Sequence, residues 1–159
     1  MQKLIITRGL PASGKSSWAI PWAKEHPDSR VRVSRDDIRN MLGEYWVPKR
    51  EGLITQIEDD AIWKAIVNGY DVVVDATHIT RKSVKRWSHF KHQLLGKLGI
   101  EVELLVKDFT DVPYEDCLRR DAIRTEGKVG NAVISRMNEN LQKARTEFVI
   151  ADSMLYKDV

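Results

Sequence analysis

"GLPASGKSS", residues 9–17, follows the apolar run "KLIITR" and precedes "WAIPWAKEH". Gly9, Gly14, Lys15 and Ser16 stand at the spacing of a phosphate-binding loop. The glycines let the chain curl until several backbone N–H groups point at one phosphate group. Lys15 adds a mobile positive charge, the helix starting there adds its dipole, and the Ser16 hydroxyl can hold Mg2+. Placed between a strand and a helix, the motif points to a bound nucleoside triphosphate, ATP or another donor. It leaves open where the phosphate goes.

Outward from the loop, Lys3–Thr7 reads as a short strand and a helix begins at Lys15. Pro21 falls inside that helix and removes a backbone donor, so a bend or a helix in two pieces is expected. Val31–Val33 reads as a second strand, followed by a helix from about Asp36 to Leu42 and the loop-like "GEYWVPK". Glu51–Val67 has helical spacing, with Leu53, Ile57, Ala61 and Ile62 expected on the inner side. "YDVVVDA" is a β-branched run, the mark of a strand buried on both faces. Arg81–Leu98 reads as a helix stopped by Gly99, and Ile100–Val106 as a fourth strand. Tyr114–Arg124 and Val133–Arg145 are further helices, separated by "TEGKVGN". No repeat, low-complexity stretch or linker interrupts this order.

Strands alternating with helices give parallel βαβ units with helices on both faces. The expectation is one α/β domain over residues 1–159. In such sheets ligands bind beyond the C-terminal strand ends. Gly9, Arg35–Asp36, Asp75–His78 and Asp108 all follow strands at that edge, so four loops converge on one crevice.

With 159 residues, 42% hydrophobic and 31% charged, the chain has the composition of a globular domain with a real core. It contains no apolar run of membrane-spanning length and no signal-peptide pattern. The single cysteine, Cys117, agrees with a reducing, cytoplasmic setting and reads as a small apolar helix residue. A net charge of +3, from 26 basic and 23 acidic residues, scarcely argues for nucleic acid. Yet Thr80–Lys97 carries Arg81, Lys82, Lys85, Arg86, Lys91 and Lys97 without one acid. Such a helix either follows a phosphate backbone or is a solvated face.

Phosphoryl transfer needs a second acidic position to hold the metal and its waters, and Asp75 at the end of "DVVVD" is placed for it. Its alternative use is to cap the next turn. In "SRDDIR", residues 34–39, Ser34 and Asp37 fit a reciprocal capping pair, which leaves Asp36 to face the crevice. Asp36 and Arg39, three apart, share a helix face. A carboxylate that accepts a hydroxyl proton beside a guanidinium that fixes an anionic group is what an alcohol kinase needs; a surface ion pair is the plainer use. In "LRRDAIRTEGK", Arg120 and Arg124 are four apart, and Gly127 and Gly130 would let the segment swing. Arginines on a mobile element can close over a triphosphate. Tyr45 and Trp46 either stack on a terminal base or fill a gap in the core. Trp18 and Trp22, four apart, read as packing.

In this order the motifs resemble the 5′-kinase module of phage and bacterial polynucleotide kinases, over nearly the whole chain: the phosphate loop, "RDD-x-R" at 35–39, "DATH" at 75–78, "RRDAIR" at 119–124 and "AVISRMNENL" at 132–141. The resemblance implies a P-loop kinase-like three-layer α/β/α fold, a four-stranded parallel sheet in the order 2-3-1-4 and a helical lid at about 115–131. It implies ATP and Mg2+ as cofactors and 5′-hydroxyl ends of DNA or RNA as acceptor, with no membrane partner. Lys15 and Ser16 would serve ATP and the metal, Ser16 together with Asp75. Gly9, Ser13, Gly14, Ser17, Arg120 and Arg124 would complete the donor site, with Lys15 and Arg124 acting in transfer. Asp36 would be the general base, Arg39 would hold the phosphate on the 3′ side of the terminal nucleotide, and Thr77 and His78 would lie with the acceptor. Related kinases usually carry Asn where this chain has His78, and Val-Pro where it has Val129-Gly130. A small-molecule kinase for a nucleoside, sugar or antibiotic is the alternative on the same residues. A nucleotide switch would need no acceptor base.

Overall fold

Four apolar runs form parallel strands in the computed structural model, which describes residues 1–158. They are β1 (Gln2–Arg8), β2 (Arg30–Ser34), β3 (Asp71–Asp75) and β4 (Val102–Asp108), in the order β2-β3-β1-β4. Ile5 stands opposite Val73 on one side and Leu105 on the other. Alternation then sorts the side chains into two layers. Leu4, Ile6, Val72, Val74, Leu104 and Val106 meet helices α2 (Arg35–Met41), α3 (Glu51–Val67) and α4 (Arg81–Leu98). Ile5, Val73 and Leu105 meet Ala19 and Trp22 of α1 (Lys15–Glu25). Helices α5 (Tyr114–Ala122) and α6 (Asn131–Glu147) pack Cys117, Ile134 and Leu141 against Leu10 and Ile79, beside the phosphate loop. The sheet order and layers agree with the expectation. Among the described residues no helix is long and apolar enough to cross a membrane.

Several boundaries differ for identifiable reasons. Helix α1 runs unbroken through Pro21, with Ala19 and Trp22 buried on either side of it; their packing outweighs the missing hydrogen bond. The fourth strand starts at Val102 rather than Ile100. Gly99 adopts φ 67°, and the N–H groups of Gly99 and Ile100 still close the end of α4 on Leu95 and Leu94. Helix α5 ends at Ala122, short of Arg124, and α6 spans more than Val133–Arg145. The inner side of α3 is Ile54, Glu58, Ile62 and Ile66, while Leu53 and Ala61 are exposed. A carboxylate turns inward there because Arg35 and Arg86 meet Glu58 Oε1 at 3.3 and 2.8 Å.

The C-terminal segment returns to the sheet. Leu155 bridges Val106 in parallel and Tyr156 N–H donates to the Val106 carbonyl at 2.8 Å. Leu155 packs with the layer under α3 and α4, and Tyr156 with the opposite layer, where its hydroxyl accepts from Trp22 Nε1 at 3.2 Å. Trp18 and Trp22 stack at 6.0 Å, as packing residues should.

Candidate active site

The loop between β1 and α1 is built by close approach. A Cβ on Gly9 would lie 2.7 Å from Ser13 Oγ and 2.9 Å from Phe109 Cβ, so no larger residue fits. Gly14 enters α1 at φ 104°, a conformation that favours glycine. Lys15 is buried, and its Nζ donates to the carbonyls of Gly9 and Leu10 at 3.0 and 2.6 Å, with Ser13 Oγ at 3.5 Å. Burial pushes its ammonium down to about 8, with Asp75 pulling the other way. The loop therefore carries a poorly solvated charge among its own carbonyls.

Ser16 Oγ donates to Asp75 Oδ2 at 2.8 Å. The same oxygen accepts from Arg32 Nε and Nη2 at 2.9 and 2.7 Å, while Arg32 Nη1 reaches Asp37 Oδ2 at 2.8 Å. Among the described residues, the hydrogen bonds of the Asp75 carboxylate go to Ser16 and Arg32 rather than to a backbone N–H of the following turn. The Ser16 hydroxyl and Asp75 carboxylate are adjacent hard oxygens beside the loop. That suits Mg2+, which takes one or two protein oxygens and completes its shell with phosphates and water.

On α2, Ser34 Oγ accepts from Asp37 N–H at 3.2 Å, as the capping motif predicts. The reciprocal half is absent, because the Asp37 carboxylate turns to Arg32 instead. Asp36 is left facing the crevice, its Oδ1 accepting from Arg39 Nη1 at 2.7 Å and from the Tyr45 hydroxyl at 2.8 Å. Arg39 is gripped by Glu51 through two bonds, Nε to Oε2 at 3.1 Å and Nη2 to Oε1 at 2.6 Å. Burial works against the Arg39 charge, but Glu51 and Asp36 outweigh it and strengthen its hold on the proton. The Arg39 bond holds the Glu51 carboxyl below its usual range. Burial and Asp36 push the Tyr45 hydroxyl up to about 12. Trp46 does not fill a core gap: it is 58% exposed, and the Arg39 guanidinium lies 5.9 Å from its ring.

Two clefts adjoin across the loop. One is lined by Asp36, Arg39, Tyr45, Asp75 and Thr77, the other by Gly14, Ser17 and Arg120, and both share Ala12, Lys15, Ser16 and Arg124. Arg124 lies past the end of α5 rather than on one helical face with Arg120, yet the two side chains line the same cleft. Arg120 Nη1 donates to the Ala12 carbonyl at 3.4 Å, and Arg124 Nη1 to the Gly127 carbonyl at 3.2 Å. The following loop is tethered more firmly than its glycines suggest. Buried Asp121 accepts from Val129 N–H at 2.9 Å and Gly130 N–H at 3.0 Å.

His78 corrects an expectation. It does not face the acceptor cleft: the ring is buried, its Nδ1 lies 2.6 Å from the Thr7 carbonyl and its Nε2 accepts from Trp87 Nε1 at 2.9 Å. The Thr7 carbonyl requires the proton on Nδ1. Burial, with Arg86 and Lys15 nearby, pushes the ring down to about 4 against the pull of that bond. Arg32, Glu51 and Asp121 were not singled out in the sequence. Arg32 and Glu51 act on the site residues Asp75 and Arg39 from other elements, whereas Asp121 ties down the loop after α5. Only Asp121, an acid within "RRDAIR" just before a glycine loop, carries a local signal.

Among solved structures, a chain of the Pnkp1/Rnl/Hen1 RNA repair complex superposes with a TM-score of 0.76 at 27% identity, covering 99% of this chain and 52% of that one. This chain thus spans about half the length of the RNA-repair chain. A gluconokinase from Sinorhizobium meliloti matches with a TM-score of 0.55 at 17% identity, over 96% of this chain and 79% of that one. The Mycobacterium tuberculosis APS kinase CysC, solved with AMPPNP and APS, matches with a TM-score of 0.56 at 20% identity, over 81% and 76%. The last two share the fold alone, a P-loop kinase-type phosphotransferase fold. Residues 4–144, which include the phosphate loop, Lys15, Ser16 and Asp75, match the family described as AAA domain, to which this chain belongs.

Proposed function

We propose that this chain transfers the γ-phosphoryl group of ATP to the 5′-hydroxyl end of a nucleic acid, DNA or RNA, as in end healing. The observation that carries the reading is the pair of clefts sharing Lys15, Ser16 and Arg124, with Asp36 and Arg39 on the side away from Arg120. A donor triphosphate on the loop would then point its terminal phosphate at the shared wall, and an acceptor alcohol would approach from the Asp36 side. The RNA-repair neighbour supports the nucleic-acid acceptor. The gluconokinase and APS kinase neighbours have other acceptors on the same fold, so the acceptor side decides the substrate.

In this reading Lys15, Arg120 and Arg124 neutralise the phosphates, and Ser16 with Asp75 would hold Mg2+, which would offset the negative charge developing on the phosphates. Asp36 accepts the 5′-hydroxyl proton as the hydroxyl oxygen bonds to the γ-phosphorus, and the bond from that phosphorus to the β–γ bridging oxygen breaks to release ADP. Arg39, its fork preset by Glu51, binds the phosphate 3′ to the reacting hydroxyl. The expected setting is the reducing cytoplasm.

The test compares a nucleoside 3′-monophosphate with the same nucleoside lacking that phosphate. A hydrogen bond to a charged group is worth about 1.5–3 kcal/mol, so the 3′-monophosphate should be preferred roughly 10- to 100-fold in kcat/KM. Arg39→Ala should erase most of the preference. Equal use of both acceptors by the unaltered protein would favour a small-molecule kinase.

A further inference from the structure

We propose that the exposed face of α4, through Arg81, Lys82 and Lys85, holds the phosphates of the strand that trails away from the reacting 5′ end; this rests on the nucleic-acid reading above. Helix α4 begins at the rim of the acceptor cleft. Thr77 lines that cleft, and Thr80 caps α4 by accepting from Ser83 N–H at 3.2 Å. From Thr80 to Lys97 there is no acidic residue. Arg81, Lys82 and Lys85 are exposed, and among the described residues none of them has an acidic partner.

Arg86, by contrast, is engaged by Glu58 and Asp59 of α3, which removes those two acids as competitors for the neighbouring lysines. It also starts a continuous line of contacts. Glu58 meets Arg35, Arg35 meets Glu51 at 3.4 Å, and Glu51 grips Arg39 at 2.6 Å. Arg86 of α4 is thereby linked, through α3 and α2, to the guanidinium assigned to the first bridging phosphate. A strand held at Arg39 meets further basic side chains in that direction.

The surface suits a phosphate backbone better than a protein. Its shallow depression is lined by Thr80, Lys82, Ser83, Lys85, Arg86 and His89; the exposed lining is mostly carbon of these side chains, but no aliphatic residue, Phe, Tyr or Trp is among them. Protein interfaces depend on buried aromatic or aliphatic anchors, whereas phosphates are held by lysine, arginine and hydroxyl groups.

The test uses an Arg81→Ala/Lys82→Ala/Lys85→Ala variant, which leaves the buried Val84 and Trp87 of α4 in place; circular dichroism and Tm check the fold. Each neutralised phosphate contributes about 0.7 to the salt slope of single-strand binding, so three contacts give about 2, or roughly 20-fold between about 50 and 200 mM salt. At low salt, kcat/KM for a 5′-hydroxyl oligonucleotide should fall at least about 10-fold and its salt dependence should flatten by roughly that 20-fold. The nucleoside 3′-monophosphate, too short to reach α4, should react as before. An oligonucleotide that behaves as with the unaltered protein would overturn the proposal, as would equal losses for both acceptors. If the unaltered protein phosphorylates neither acceptor, the kinase reading fails. Anisotropy of a fluorescein-labelled oligonucleotide then decides the α4 surface: weaker binding by the variant supports it and equal binding overturns it.

Discussion

Replacing His78 by Asn should make folding stability less dependent on pH in the acidic range. In the folded chain the ring is neutral because protonating Nε2 would set its new N–H against the N–H of Trp87, in a buried site facing the charges of Arg86 and Lys15. Folding lowers the ring from its ordinary 6.5 to about 4. Between those values the unfolded chain binds more protons than the folded one, so stability falls as pH drops from about 6.5 and the full loss is reached below about 4. At about pH 4.5 the penalty from this single residue is of order 2.5 kcal/mol. Asn tolerates the φ of 45° that His78 adopts and has no titratable group. It forfeits the Trp87 contact, so the variant should be less stable by about 1–3 kcal/mol near neutral pH. Urea unfolding of both proteins at several pH values and constant ionic strength gives the comparison. Titration of the carboxylates is common to both and cancels in the difference. The gap should close, and can reverse, by about 2.5 kcal/mol between about pH 7.5 and 4.5. A gap that stays constant over that range would refute the buried, neutral assignment.

Asp36→Asn should lower turnover about 10²- to 10⁴-fold with little change in ATP affinity. Asp37→Asn should cost under about 1 kcal/mol of stability, because its carboxylate makes an exposed ion pair while Ser34 provides the cap; the reverse ranking in turnover would exchange their roles. Glu51→Gln should raise acceptor KM about 10-fold and leave kcat nearly intact, since it loosens Arg39 without touching Asp36. An unchanged KM would remove Glu51 from the acceptor site. Lys15→Met should reduce transfer at least about 100-fold, yet thermal melting should come no earlier, because the replaced ammonium is buried at a cost. An early melt would mean that the lysine's three loop contacts hold the fold.

What was readable in the sequence is what depends on local periodicity and local chemistry. The phosphate loop, the β-branched strands, the Ser34 cap, the Gly99 stop and the Asp36–Arg39 pair each involve residues within a few positions of one another. The inward turn of Glu58 has no local signal, because a charged residue normally stays outside; its two arginines come from α2 and α4, 23 and 28 residues away. His78 was placed with the acceptor for a similar reason. The residues that make it structural, Thr7 and Trp87, lie on β1 and α4, where no spacing rule links them to "DATH". Arg32 and Glu51 escaped notice because each matters through the residue it grips.

The chain's last turn back onto β4 has a consequence for biosynthesis. Leu155 and Tyr156 grip both layers of the sheet, one of them reaching a tryptophan 134 positions earlier. While the polypeptide emerges from the ribosome, β1 to β4 are complete long before these two residues leave the exit tunnel. During that interval the backbone of β4 beyond Val106 is an open template, available to another strand of the same or a neighbouring nascent chain. Closure comes only once Leu155 and Tyr156 have emerged, so until then this edge is exposed to mispairing that the finished fold does not allow.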